Sequence, residues 1–151
     1  MANVQIGSHP SFGEQIVESI DTTGKQLEKN DSGKIFMCDQ NGTADVDINL
    51  PELSTSIAGW NAKFVLRTAA ANDFHIMAYG NVAAGGTSGD ADTIVYTELT
   101  DSNTTAASAD VIQFTGGAAS AGAFCDILTD GTSWYAYIRD VADAGVVSVD
   151  S

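Results

Sequence analysis

Nine short apolar segments follow one another along the chain at a spacing of roughly ten residues. They lie at 34–39, 45–50, 62–68, 73–79, 93–99, 110–115, 123–129, 132–138 and 145–149. Residues typical of turns, above all Gly, Asn and Asp, separate them. Short strands at this spacing are typical of a β-sandwich, a jelly roll or a barrel. The sequence therefore predicts an all-β fold.

Alternation inside the segments predicts which strand faces are buried. In the segment 45–50 the apolar residues Val46, Ile48 and Leu50 alternate with aspartate and asparagine, and the segment 73–79 has the same period of two. This pattern is typical of strands with one buried and one solvated face, which are common in antiparallel sheets. We therefore expect an antiparallel β-sandwich, jelly roll or barrel.

Turn chemistry predicts how some strands are joined. Asp130–Gly131 lies between 123–129 and 132–138, and a glycine at this place accepts the positive φ of a tight hairpin turn. Asn41–Gly42 predicts a second turn on the same ground. The segment 52–60 has the composition of a single helical turn.

The N-terminal part of the chain differs from the rest because it lacks tight turns. We assign residues 1–22 to an extended arm that feeds a strand near 15–20, and residues 23–151 to the β domain; a helix beginning near residue 11 is the alternative. Scattered apolar residues give such an arm contacts for a neighbouring molecule. They include Ile6, Phe12 and Ile16.

Composition and charge exclude several classes of partner. The chain of 151 residues is long enough for one domain, and 20 acidic against 6 basic residues give a formal net charge of −14. Phosphate groups would be repelled, so we expect no nucleic-acid partner and no binding to anionic membranes. The sequence contains no apolar run of about 20 residues, and its N-terminus lacks the basic and apolar regions of a secretory signal.

The two cysteines and the acidic loops predict no metal site. Cys38 and Cys125 lie in apolar segments without metal-ligand spacing, and we expect reduced, buried thiols; a disulfide between neighbouring strands is the alternative. The stretch from Asp39 to Asp47 resembles a calcium loop, but its glycine is misplaced and the closing glutamate is missing. We therefore expect no metal and no cofactor, and a weak calcium site in this stretch is the alternative.

Catalytic residues are not evident. His75 and Asp73 lie two residues apart on one strand face, but parallel side chains make a poor proton relay. No Gly-x-Ser-x-Gly motif presents a nucleophile. We therefore predict a protein that is not an enzyme, with a small β-sandwich hydrolase as the remaining enzymatic alternative.

Exposed aromatic residues are the candidates for a contact surface. Trp134, Tyr135 and Tyr137 share one segment, and the first two cannot both face the core because neighbours on a strand point to opposite sides. With Tyr79, these residues predict a contact with another subunit. A platform for stacking sugar rings is the alternative.

The order of several motifs resembles that of a known class of proteins. Asp31-Ser-Gly-Lys34 followed by Ile35-Phe36, the strand ending in Leu50-Pro51, the stretch 58–66 and the segment Asp130-Gly-Thr-Ser-Trp-Tyr135 are similar to small structural proteins of tailed-phage virions. The likeness covers about residues 25–149. It implies an all-β domain, commonly trimeric, without catalytic residues.

The resemblance implies a capsid decoration protein, also called a cement protein. Such a protein is made in the host cytoplasm, binds the exterior of an icosahedral shell and reinforces it. Its expected partners are the major capsid protein and further copies of this chain in a homotrimer. The expected contact residues are Ile6, Phe12, Ile16, Tyr79, Trp134 and Tyr137. A head-fibre, tail-fibre or receptor-binding domain, with or without a carbohydrate contact, is the alternative.

Overall fold

Twelve β-strands and two short 3₁₀ helices make up the described part of the chain. The computed structural model describes residues 15–21, 23–39, 43–69, 71–79, 93–99, 104–140 and 146–149. The strands are β1 (Val17–Ile20), β2 (Lys25–Gln26), β3 (Ile35–Cys38), β4 (Val46–Asn49), β5 (Asn61–Leu66), β6 (Phe74–Met77), β7 (Ile94–Leu99), β8 (Thr104–Ala109), β9 (Val111–Phe114), β10 (Phe124–Thr129), β11 (Trp134–Arg139) and β12 (Val146–Val149). The 3₁₀ helices span Lys29–Asp31 and Thr55–Ile57, and the second confirms the helical turn expected in 52–60.

The strands form two mixed sheets. The larger has the order β1-β3-β5-β10-β11-β7-β8, and the smaller the order β12-β9-β6-β4-β2. The all-β class is confirmed, but the expectation of antiparallel pairing is wrong for five of the ten pairs among the described strands. From β1 to β6 the chain alternates between the two sheets, so a strand pairs with the one two places later. The chain then returns in the same direction, which makes those pairs parallel.

The path of the chain from β3 to β5 and from β4 to β6 takes 28 residues in each case. Ile35 of β3 pairs with Lys63 of β5, and Val46 of β4 pairs with Phe74 of β6, at the same separation in both sheets. Equivalent side chains therefore lie side by side. The rings of Phe36 and Phe64, again 28 residues apart, are stacked with centroids 5.2 Å apart.

The core contains inward-facing side chains of both sheets in a single cluster. Phe36 and Phe64 contribute from the seven-stranded sheet, and Phe74 and Phe114 from the five-stranded sheet, where their rings meet edge to face at 6.3 Å. Full burial of one such side chain contributes about 1.5–3 kcal/mol. The core thus holds the two sheets together.

The strand β6 departs from the expected half-buried pattern. Its four residues are all buried, and His75 is only 3% exposed. It is the central strand of its sheet, and both of its faces are covered. Alternation of residue types along this strand therefore predicts its inward face but not the burial of the opposite one.

The hairpin between β10 and β11 is confirmed. Its loop contains Gly131 with φ +92°, and Asp130 Oδ1 accepts hydrogen bonds from the backbone amides of Thr132 and Ser133. These amides, with the Thr132 and Tyr135 hydroxyls, lower the pKa of Asp130 to about 2, the Thr132 side-chain bond having the largest effect. The Asn41–Gly42 turn lies outside the described residues.

Both cysteines are buried and free. Cys38 lies on β3 and Cys125 on β10, and the strand β5 separates them. Burial raises the pKa of both thiols, which favours the protonated form. The alternative of a disulfide is therefore not realised in the structure. Within the described ranges, no helix is long and apolar enough to cross a membrane.

Candidate interaction surface

Of the six contact residues predicted from the sequence, the structure describes four, and it does not bring these four together. Ile6 and Phe12 lie outside the described residues. Ile16 is 65% exposed directly before β1, which is an edge strand within the range 1–22 and pairs with β3. Tyr79 is exposed beyond the end of β6, on the five-stranded sheet, and Tyr137 lies on the outward side of β11.

Trp134 is a core residue and not a surface contact. Its side chain is completely buried and meets Trp60 edge to face, with ring centroids 5.3 Å apart. Trp60 in turn donates from Nε1 to the backbone oxygen of Glu28 at 3.0 Å. Buried and outward positions alternate along β11, which turns the half-buried Tyr135 and the exposed Tyr137 outward. The expectation of a contact through Trp134 is therefore wrong.

The outward side of the seven-stranded sheet forms a continuous surface, which we call the outer face. Strand registers place register partners on the same side of a sheet, so the members of this face follow from the pairing. Among the residues whose side chains the structure describes, the members are Val17, Ser19, Ile35, Met37, Asn61, Lys63, Val65, Val95, Thr97, Phe124, Asp126, Leu128, Tyr135, Tyr137 and Arg139.

Nine of these fifteen side chains are aliphatic, aromatic or thioether groups. Val17, Val95, Leu128 and Tyr137 are among the most exposed large apolar residues of the described chain, and Tyr137 is 53% exposed. Isolated exposed apolar residues are normal, but a contiguous patch marks a surface that another molecule covers. The outer face is therefore the candidate interaction surface.

The charge of the outer face contrasts with that of the whole chain. It carries two basic side chains, Lys63 and Arg139, and one acidic side chain, Asp126, whereas the chain has a net charge of −14. Lys63 Nζ lies 3.3 Å from Asp126 Oδ1 and 4.4 Å from the centroid of the Phe124 ring. The lysine stem thus covers apolar surface while its charge is paired on the same face.

A polar cleft of about 220 Å³ opens at one end of the outer face, beside the first residues of β3 and β5. Its polar lining comprises Gln15, Lys34, Asn61, Lys63 and Asp126. Amide and charged groups are suited to hydrogen-bonding a polar ligand. The sequence alone did not indicate this cleft, because its lining comes from separate strands.

A cluster of four charges ties the first strands together. Lys34 Nζ lies 2.6 Å from Asp31 Oδ1 and 3.0 Å from Glu18 Oε2, and Lys25 forms a close ion pair with Glu18. Hydrogen bonds from Lys25 and then Lys34 lower the pKa of Glu18. Burial raises the pKa of Asp31, but hydrogen bonds from Lys34 and the Glu28 amide outweigh it, and the net pKa is lowered.

His75 does not pair with Asp73, as the parallel side chains of one strand face led us to expect. Asp73 Oδ1 accepts a hydrogen bond from the Gly116 amide at 2.7 Å, whereas His75 Nδ1 lies 2.8 Å from Asp47 Oδ1. Side chains two residues apart on one strand stand parallel, while register partners on neighbouring strands face each other. Asp47 and His75 are such partners.

The acids of the stretch that resembles a calcium loop all have protein partners. Asp39 forms an ion pair with Arg67 and accepts a hydrogen bond from Thr68 Oγ1 at 2.9 Å. Asp45 Oδ1 accepts a hydrogen bond from the backbone amide of Asp73, and Asp47 contacts His75 as described above. These carboxylates therefore connect successive turns of the chain. Among the residues the structure describes, no group of three or more potential metal ligands is present.

Comparisons of the chain with protein-family models, with curated proteins and with solved structures gave no match.

Proposed function

We propose that the protein is a non-enzymatic virion structural protein that binds the exterior of an icosahedral phage capsid and stabilises it. Its partners are the major capsid protein and other copies of this chain. It is made in the host cytoplasm and is located on the capsid exterior. The proposal includes an N-terminal arm and a sandwich, jelly-roll or barrel arrangement of the two sheets.

The outer face is the observation that supports a role in assembly. A surface with nine apolar members out of fifteen provides association energy, and its two basic and one acidic side chains add no excess of negative charge to the −14 of the chain. The assignment to a virion rests on the resemblance of the motifs at 31–36, 50–51, 58–66 and 130–135 to phage structural proteins.

Stabilisation of a shell follows from selective binding. A protein that binds the assembled shell and not its free subunits shifts the equilibrium towards the shell. The six basic residues of the chain cannot build an interface driven by charge, so apolar and backbone contacts are the expected source of affinity. Attachment should therefore persist at high salt, which also screens repulsion between neighbouring copies.

The test is the resistance of capsids to heat and osmotic shock, with and without the added protein, across a salt series. We expect protection at every salt concentration, and loss of protection with Phe12→Asp or Ile16→Asp. Ser56→Asp, which adds the same charge at an exposed position of the second 3₁₀ helix, is the matched control. Capsids that gain no resistance from the protein, or that release it at moderate salt, would contradict the proposal.

A receptor-binding or fibre domain that contacts carbohydrate is the second candidate, favoured by the polar cleft. Asn61, Lys63 and Asp126 line it together with Gln15 and Lys34, and such groups hydrogen-bond sugar hydroxyls. Binding to a glycan array that Asn61→Ala abolishes, with no protection of capsids, would favour this candidate over the first.

A further inference from the structure

We propose that the partner of the outer face is a second copy of this chain, related by a two-fold axis that runs parallel to the strands between β5 and β10. The inference rests on the association role proposed above and names the occupant of the same surface. Two sheets packed in this way have their facing sides about 10 Å apart, which leaves room for one interdigitated layer of side chains.

The position of the axis follows from Lys63 and Asp126. They are register partners on the adjacent strands β5 and β10, and their side chains form an ion pair on the outer face. A two-fold axis between these strands places Lys63 of each copy opposite Asp126 of the other. The two pairs then form a square of alternating charges, so the centre of the interface is complementary to itself.

Apolar side chains flank this square on the same strands. Val65 and Phe124 are register partners two residues beyond Lys63 and Asp126, and the same axis places Val65 opposite Phe124 of the second copy. Further from the axis, it places Ile35 opposite Tyr137, because β3 and β11 are the next strands on either side. The contact therefore has a polar centre surrounded by apolar groups.

Charge favours this face over others as the meeting place of two copies. Two chains of −14 repel each other in most orientations. The outer face instead carries two basic and one acidic residue, Lys63, Arg139 and Asp126. Contact through this face keeps the excess of acidic side chains away from the interface.

The size of the face agrees with a dimer. The axis opposes three strands of each copy on either side, and these six strands, spaced about 4.8 Å apart and four to six residues long at about 3.3 Å per residue, give an area of roughly 500 Å². Two such faces in contact bury about 1,000 Å², close to the least that a specific interface needs. A sizeable part of the face must therefore be in contact for the dimer to be stable.

Two-fold symmetry follows from the use of one face by both copies. An isologous contact joins the same patch on two chains and closes as a dimer, whereas a trimer joins two different patches on each chain. In the homotrimer implied by the resemblance, the outer face of one copy would therefore not pack against the outer face of another. The number of copies in solution decides between the two arrangements.

Sedimentation velocity of the full chain provides the first test, with the expected species at twice the chain mass of 15.7 kDa. Lys63→Asp places four negative charges at the axis and Asp126→Lys four positive ones, so each should raise the dimer dissociation constant at least about tenfold. The double variant K63D/D126K restores the alternating square and should restore the dimer. Glu52→Lys, an equal change of charge at an exposed residue off the face, should not weaken the dimer.

Cross-linking provides a second test that does not depend on charge. A chain with Lys63→Cys is mixed with a chain with Asp126→Cys, and a bifunctional maleimide that spans about 10 Å should join the two chains through these positions, since sheets packed about 10 Å apart are too distant for a direct disulfide. Cys38 and Cys125 are buried and should not react. Circular dichroism verifies that each variant is folded.

The outcomes separate this inference from the proposed function. A monomer, a trimer, or a dimer insensitive to both single charge reversals would overturn the two-fold arrangement, even if the protein still protects capsids. A dimer with the expected response and no protection of capsids would instead support the arrangement and contradict the virion role.

Discussion

His75 Nδ1 lies 2.8 Å from Oδ1 of Asp47, the residue 28 positions earlier that occupies the equivalent place on the neighbouring parallel strand. The imidazole is buried, whereas the Asp47 side chain is 44% exposed. The carboxylate accepts a hydrogen bond from the Nδ1–H group, and Nε2 has no hydrogen-bond partner within the described part of the chain. The buried imidazole therefore needs Asp47 as its hydrogen-bond partner, whereas water can replace His75 at the exposed carboxylate.

This asymmetry predicts unequal effects of removing each partner. Asp47→Ala should lower the free energy of unfolding by about 1–3 kcal/mol, because it leaves a buried N–H group unpaired. His75→Leu should have a smaller effect, since Asp47 remains hydrated. In urea denaturation, the double variant D47A/H75L should be no less stable than D47A alone. An effect of Asp47→Ala as small as that of Glu52→Ala, at an exposed acid, would contradict the interpretation.

Acid should weaken the cluster of Glu18, Asp31, Lys25 and Lys34. Both carboxyl groups have a pKa below their ordinary values of 4.5 and 3.8, so their contribution to stability is present above those values and is lost as the pH falls through the lowered ones. We expect the wild type to lose more free energy of unfolding than Glu18→Gln between about pH 6 and about pH 3.

The comparison with Glu18→Gln is needed because acid also relieves repulsion in a chain of −14. Glu52→Gln removes an exposed acid outside the cluster and should follow the wild-type pH profile. Denaturant titrations at a series of pH values measure all three proteins. Parallel profiles for wild type and Glu18→Gln would show that the cluster contributes nothing to stability.

Gly131 should be less tolerant of substitution than Gly33. Both have a positive φ, +92° and +82°, which disfavours alanine. A Cβ at Gly131 would also lie 2.8 Å from the backbone oxygen of Ser54, whereas Gly33 has open space around the same position. Gly33→Ala should cost about 1 kcal/mol and Gly131→Ala clearly more, because backbone atoms must move. Equal losses of melting temperature would contradict this.

Substitutions at Trp134 and at Tyr137 should have different effects, the first on folding stability and the second on association. Trp134→Ala removes a completely buried side chain and should lower the free energy of unfolding by about 3–5 kcal/mol. Tyr137→Ser changes an outward side chain and should alter stability by no more than about 0.5 kcal/mol while weakening the dimer. Thermal denaturation and sedimentation of the two variants test this. A large loss of stability with Tyr137→Ser would place that residue in the fold instead of the interface.

Much of the strand content was predictable from local residue pattern. Each of the nine apolar segments overlaps a strand, and the turn at Asp130–Gly131 is where turn chemistry placed it. The strand β8 (Thr104–Ala109) was not predicted, because its threonine, alanine and serine residues lack an alternating apolar pattern. It forms a strand through pairing with β7, which is a tertiary contact.

The candidate surface was predictable only in part. Tyr137 was identified from the sequence as an exposed aromatic residue, and the structure places it on the outer face. Trp134 was assigned to the same role, since alternation shows that Trp134 and Tyr135 face opposite sides but not which side is the core. Lys63 and Asp126 were not identified, because they are 63 residues apart in the chain and become neighbours only through the register of β5 and β10.

The sequence by itself determined that this chain forms short strands and where most of them lie. Only the tertiary structure decided the strand order, the parallel pairs and the partner of His75. Alternation has the same period in parallel and antiparallel strands, so it carries no information about direction or neighbour. Direction is decided by the path of the chain between the two sheets, and the 28-residue separation on that path brings Asp47 to His75 and Phe36 to Phe64.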